Sequence, residues 1–289
     1  MDYKQINRLL FIGLLLMIFA PLTHAQIKIG AKVGYSVGRI ADTSDNIYTE
    51  EYDSTDGIDF GVTAEFPISE LVSIQTELLY TQRGGIREGV QPIPADQLKD
   101  ALAENGISEE QLTILMALNG RGPVTDANPL YADFKNESEL EYIEIPVLLK
   151  LGWGTDWRFY VEGGPYLGFL INATQVTSGD SQFFTDGSGN QPVQVPNPFF
   201  NPEDPSFGPP LIPLPPQNFD ASTDVKDDLN TTNFGMAAGA GLIRQINEKN
   251  QVYLGFRGTY GFTTLQKDNT FGESVIGGLV FSVGYAYTL

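Results

Sequence analysis

The chain has 289 residues, with 36 acidic against 17 basic side chains, a formal net charge of −19, no cysteine and one histidine. Without cysteine there is no disulfide framework, zinc–thiolate site or cysteine lipid anchor. So acidic a chain lacks the basic stripe that nucleic acid requires, and its length suits one or two ordinary domains or one large β-barrel.

Residues 1–25 read as a secretory signal peptide. Lys4 and Arg8 give a basic start, Leu9 to Ala20 an apolar run, and Thr23-His24-Ala25 small residues before a cut at Gln26. The run is shorter than the ~20 apolar residues of a membrane anchor. Cleavage removes His24, the single histidine. Ser-His, Cys-His and His-ligated metal chemistry are then closed to the mature chain, residues 26–289. No residue is assigned to catalysis, a cofactor or a metal.

Beyond residue 25 apolar residues recur with period two, the mark of strands with two unlike faces. In 26–40, Ile27, Ile29, Val33, Tyr35 and Val37 oppose Lys28, Gly30, Lys32 and Gly34. The loop 41–56 carries Asp42, Asp45, Glu50, Glu51, Asp53 and Asp56 without a base. It is expected to be solvated, with divalent-cation binding near lipopolysaccharide as the sharper reading. Strand 57–66 sets Ile58, Phe60 and Val62 against Asp59, Gly61 and Glu65, and a tight link leads into 71–83, where Ile74, Leu78 and Tyr80 oppose Gln75, Glu77 and Arg83.

The long link 84–138 contains two helical segments within 94–119. Leu98, Ala101 and Leu102 stripe the first, and Ser108 with Gln111 forms a capping box for the second. Strand 139–151 follows, with Ile143, Ile145, Val147 and Leu149 opposite Glu144 and Lys150. A short turn leads to 157–171, with Phe159, Val161, Leu167 and Phe169 opposite Arg158, Glu162 and Tyr166. Pro146 and Pro165 fall inside these neighbouring strands, where a missing N–H predicts a bulge.

The link 172–231 is acidic, and ten of the 18 prolines lie in 192–216. That segment is expected to form no sheet and to be extended or disordered, or to serve as a partner-binding arm. Three strands close the chain: 232–244, 251–263 (Val252, Leu254, Phe256 and Tyr260 opposite Tyr253, Arg257 and Thr259) and 274–289 (Leu279, Phe281, Val283, Tyr285 and Tyr287 opposite Gly278, Ser282 and Gly284).

Eight strands joined alternately by short turns and long loops predict an all-β fold. It is an eight-stranded antiparallel transmembrane β-barrel with long extracellular loops, one carrying a small helical insertion. A lipocalin-like soluble barrel would have the same alternation turned inside out. Two features favour the membrane sense: the glycine-rich polar face, and aromatics near strand ends (Tyr35, Phe66, Tyr80, Phe169, Tyr260, Phe262, Tyr285 and Tyr287) that suit interfacial girdles. The lumen then holds Lys28, Lys32, Glu65, Glu77, Arg83, Glu144, Lys150, Arg158, Glu162 and Arg257. These are expected to pair across it as a salt-bridged plug rather than form an ion path.

Several segments resemble the PorT-like outer-membrane β-barrel family of Bacteroidetes. They are Gln75-Thr76-Glu77-Leu78-Leu79-Tyr80 with Arg83-Gly84-Gly85, then Tyr142 through Lys150, then Gly163-Gly164-Pro165-Tyr166-Leu167-Gly168, then Phe234-Gly235 through Gly239-Ala240-Gly241. The resemblance implies an outer-membrane, porin-like barrel of the cell envelope, with some relatives serving protein secretion, and it supplies no catalytic residues. The expected partners are outer-membrane lipid, lipopolysaccharide and an envelope or secretion-machinery protein reached through the loops. The expected role is structural or partner-binding and non-enzymatic; a narrow channel or transport accessory, an outer-membrane hydrolase and a secreted soluble barrel are the alternatives.

Overall fold

The computed structural model describes residues 26–49, 52–104 and 106–289. The expected signal peptide, and Glu50 and Glu51 of the acidic loop, lie outside them. Eight long strands form the wall: β1 (Lys28–Asp42), β2 (Asp53–Pro67), β3 (Val72–Arg87), β4 (Lys135–Gly154), β5 (Trp157–Ser178), β6 (Thr232–Gln245), β7 (Asn250–Gly261) and β8 (Ser274–Thr288). Each pairs antiparallel with its chain neighbours, and β8 pairs with β1, closing the ring. Closure leaves no edge within the ring, which a sheet in hydrocarbon requires.

The alternation resolves in the membrane sense. Val33 is 60% exposed, and Ile29, Phe60, Leu78, Leu254, Phe281 and Val283 also face outward, while Lys32, Glu77 and Arg257 are buried inside. A soluble barrel would need the opposite arrangement. Aromatic side chains ring both ends of this apolar band, with Tyr35, Phe169, Phe234, Tyr260 and Phe262 towards the long loops. Tyr285 and Tyr287 sit towards the short turns and are joined by Trp157 of β5 and by Trp153, which belongs to β4 rather than to the turn.

The lumen-facing glycines have a specific cause. Tyr253 pairs with Gly284, Tyr160 with Gly241 and Tyr166 with Gly235 across adjacent strands. Each ring lies over its glycine: a Cβ on Gly284 would stand 2.1 Å from Cζ of Tyr253, and one on Gly241 2.5 Å from the Tyr160 ring. Three tyrosines thus fold into a narrow interior because the residue opposite has no side chain.

Two expectations fail. The bulge predicted at Pro146 and Pro165 is absent; the β4–β5 register is the same on both sides, with Ile145 opposite Leu167 and Leu149 opposite Gly163. A proline removes one donor without adding a residue, so ladder bonds are lost but the register holds. The Thr76 hydroxyl donates to the Pro146 carbonyl at 3.1 Å. The β4–β5 irregularity lies instead at Glu141/Tyr142, and another lies in β2 between Ser54 and Asp59.

The proline-rich segment also departs from expectation. Gln194–Pro196 pairs antiparallel with Leu211–Pro213 in a small ribbon. Prolines are tolerated there because each strand of a two-stranded ribbon has a free side that demands no donor. Further along, Gln217–Asn218 pairs with Asp180–Ser181, and Ala221–Asp224 pairs with Thr174–Thr177 of β5.

The helical insertion forms as α1 (Ala95–Glu104) and α2 (Glu109–Leu118), and the Ser108/Gln111 capping box is present. The helices do not stand alone. Leu98, Leu112 and Met116 pack with Leu130, Phe183 and Val193 in one apolar core, with Leu214 and Phe219 against it. The two longest loops therefore fold together as a module at one end of the barrel. Tyr48 of the acidic loop joins it, its hydroxyl donating to the Asp126 carbonyl at 3.1 Å. Burial, and then the Asp126 carboxylate, push that phenol up to about 12, so it remains a donor at neutral pH.

Candidate functional site

The lumen is the first candidate. Each of its charged groups sits at an inward position of a strand, where it must find a partner or be buried unpaired. From the short-turn end, Glu65 accepts from Lys28 at 3.2 Å and from Lys150 at 3.0 Å, and Lys150 also donates to Gln75 at 2.8 Å. One layer further in, Arg257 grips both oxygens of Glu77 at 2.7 and 2.8 Å and reaches Glu162 with Nε at 2.8 Å. Lys32 lies 2.9 Å from Glu77 and 3.5 Å from Asp59. Beyond them Arg83 pairs with Glu144 at 2.9 Å.

Nine of the ten residues singled out from the sequence thus pair within three successive layers. Arg158 does not join them. It sits at the short-turn rim and donates to the carbonyls of Glu70 at 2.7 Å and Gly152 at 3.2 Å. Asp59 is the residue the sequence reading missed, although its alternation with Phe60 marked it as inward. Reading β2 from residue 57 left Asp59 near a strand end; the strand begins at Asp53 and carries Asp59 into the lumen, 1% exposed. Among the described residues the network then balances, Lys28, Lys32, Arg83, Lys150 and Arg257 against Asp59, Glu65, Glu77, Glu144 and Glu162.

Space inside is unevenly distributed. Around Lys32, Asp59, Arg83 and Glu144 the side chains leave a cavity of about 10 Å³, room for about one water molecule. At the short-turn end a vestibule of about 580 Å³ opens between Lys28, Glu65, Lys150 and Arg158. At the long-loop end Ile40, Leu140, Tyr142, Leu170, Leu265 and Ile276 form an apolar layer, with Leu229 packed against it.

The loop module is the second candidate. Asn119, capping α2, donates to Leu115 at 2.8 Å and to Gln194 at 2.9 Å, and accepts from the Gln194 amide at 2.7 Å. One side chain thus fastens the proline-rich ribbon to the helices. Replacing Asn119 with alanine is expected to cost about 1–3 kcal/mol locally. Limited proteolysis should then cut within 192–216 faster while the barrel stays intact. The ribbon's outer turn presents Phe199, Phe200 and Phe207 to solvent.

Two carboxylates of the acidic loop, Asp42 and Asp56, are occupied by protein donors. Asp42 accepts from the Asp45 amide at 2.8 Å and from the Ser44 and Thr49 hydroxyls, and Asp56 takes the Tyr35 hydroxyl. Among the described residues no group of three or more metal-capable side chains is assembled.

No curated protein matches this sequence. Among solved structures it is similar to Neisserial surface protein A, at 12% identity and TM-score 0.33, covering 91% of this chain and 97% of that one. It is also similar to the attachment invasion locus protein Ail of Yersinia pestis, at 11% identity and TM-score 0.33, covering 90% and 99%. For the outer membrane protein OprG of Pseudomonas aeruginosa the values are 10% identity and TM-score 0.38, covering 92% and 96%. Likenesses this distant carry no argument about role. The sequence itself matches the outer membrane protein beta-barrel domain over residues 20–267. With its closed ring, outward apolar band and balanced lumen, the chain belongs to that outer-membrane β-barrel family.

Proposed function

We propose that this protein stands in the outer membrane as a closed, non-enzymatic barrel that carries an extracellular binding module. The observation that supports the reading best is the lumen's balance: each carboxylate in it has a base within reach, and little room is left between them. Carboxylates held in this way are poor nucleophiles and poor bases, and the mature segment 26–289 contains no histidine to serve instead. Binding falls to the loops, where two long segments build a folded core outside the membrane.

In this reading residues 1–25 are removed on export, the apolar band meets lipid and the loop end faces lipopolysaccharide. Further resemblance to the PorT-like barrels of Bacteroidetes adds a link to envelope or secretion machinery, with a protein partner held by the module.

The vestibule of about 580 Å³ favours a second reading, a narrow channel or transport accessory. Planar-bilayer recording decides between them. The closed barrel is expected to be electrically silent at neutral pH, and a sustained unit conductance from the purified protein would remove that reading.

A further inference from the structure

Above the apolar band the wall of the barrel loses its closure. β6 begins at Thr232, opposite Phe169, so the upper part of β5 has no β6 beside it. The place is taken by Ala221–Asp224, paired with Thr174–Thr177, and the ladder continues through Gln217–Asn218 against Asp180–Ser181. This run ends the sheet, with no strand on its far side among the described residues, and Ala221 through Asp224 are all exposed.

The pairing register says which backbone groups are free. The amides of Phe219 and Val225 donate inward, to Gly179 and Ala173, so the odd-numbered residues bond to β5. Ser222 and Asp224 then direct their N–H and C=O groups away from it. Exposed edges of this kind are ordinarily blunted by lysine, proline or a bulge. The stretch Ala-Ser-Thr-Asp has none of these.

The chemistry around the edge is one-sided. Asp220 and Asp224 share the outer face with Glu137, Glu139 and Glu141 of β4, because Glu137 stands opposite Val176 and Glu139 opposite Thr174. The bases beside it are both engaged: Lys135 pairs with Glu137 at 2.9 Å, and Lys226, next to Asp224, donates to the Ile171 carbonyl at 2.9 Å. A second copy of this chain is a poor occupant. Copies in one membrane share the direction of the barrel axis, so like edge strands tilted by about 35–45° cross at less than about 90° and never run antiparallel. They also repel through the same carboxylates.

We infer that the edge strand Gln217–Asp224 is a docking site for an extended, lysine- or arginine-bearing segment of a partner protein, which adds as a further strand to the extracellular sheet. Main-chain bonds to Ser222 and Asp224 hold it, and the acidic outer face selects its charge. The inference rests on the partner-binding reading above, but it can fail alone.

The test uses the full-length protein in lipid nanodiscs and a fluorescent peptide alternating lysine with valine. Saturable binding is expected, together with slowed hydrogen exchange at the Ser222 and Asp224 amides. Ser222→Pro removes one outward donor and should weaken binding by at least about tenfold, a loss of one or two backbone bonds. Asp220→Asn with Asp224→Asn removes two charges while the amide oxygens can still accept from the Gly179 and Lys226 amides that these carboxylates hold, and it should weaken binding about fivefold or more while flattening its salt dependence. A glutamate-for-lysine peptide should not bind. No saturable binding, or binding indifferent to both variants, would overturn the inference. Neither result touches the closed-barrel reading, which stands or falls on conductance.

Discussion

Replacing Arg257 with methionine is expected to destabilise the assembled barrel by about 3–5 kcal/mol, the cost of breaking a buried ion pair from one side. Glu77 is fully buried and Arg257 holds both of its oxygens, while Glu162 has no other base within ion-pair distance among the described residues. The two carboxylates therefore respond differently to the loss. Glu77 keeps Lys32 at 2.9 Å, whereas Glu162 is left as an uncompensated charge. Adding Glu162→Gln to Arg257→Met should recover more stability than adding Glu77→Gln. Lysine at position 257 should rescue poorly, since one ammonium cannot reproduce a fork that bridges two carboxylates. Urea midpoints of lipid-reconstituted protein measure the whole cycle. Equal recovery from both second substitutions would show that the layer does not act as the paired network described.

At the neighbouring positions 283 and 284, two substitutions are expected to fail for opposite reasons. Val283 is 54% exposed in the apolar band, and Val283→Arg puts a charge into lipid at about 2–4 kcal/mol near the midplane. Gly284 faces the lumen beneath the Tyr253 ring, where even a methyl would stand 2.1 Å from Cζ. Gly284→Val should cost about 1–3 kcal/mol by overpacking, or more where the sheet cannot yield. The pair is diagnostic when Tyr253→Ala is added. That change should relieve Gly284→Val and do nothing for Val283→Arg, because the ring competes for space on one face of the sheet only. Heat-modified gel mobility and urea midpoints of the four variants check this. Relief of both, or of neither, would contradict the facing assigned to β8.

The barrel was legible because its cause is local. A strand with lipid on one side and a crowded interior on the other must alternate, and that period is written into each of the eight wall strands. The same period marked the inward face and hence nine of the lumen charges. Asp59 escaped only because the end of β2 carried no signal distinct from the loop before it. Arg158 lines the vestibule but stays out of the paired layers, because alternation gives a side chain's face but not its height, and at the rim backbone carbonyls compete with carboxylates.

What lay outside the reach of the sequence depended on contacts between residues far apart in the chain. A proline-rich run has no pattern of its own, and its pairing appears only because Val193, Leu214 and Phe219 find an apolar surface on helices inserted in another loop. The open edge beside β5 has the same origin: nothing in Ala221–Asp224 announces a strand, and it becomes one only because β6 starts too low to fill the place. Sequence by itself determined the strands, their facing and the membrane they suit, since those follow from a two-residue period. Only the tertiary structure decided which charge meets which across the lumen, and how two loops become one module, because those contacts depend on ring closure and on packing between distant segments.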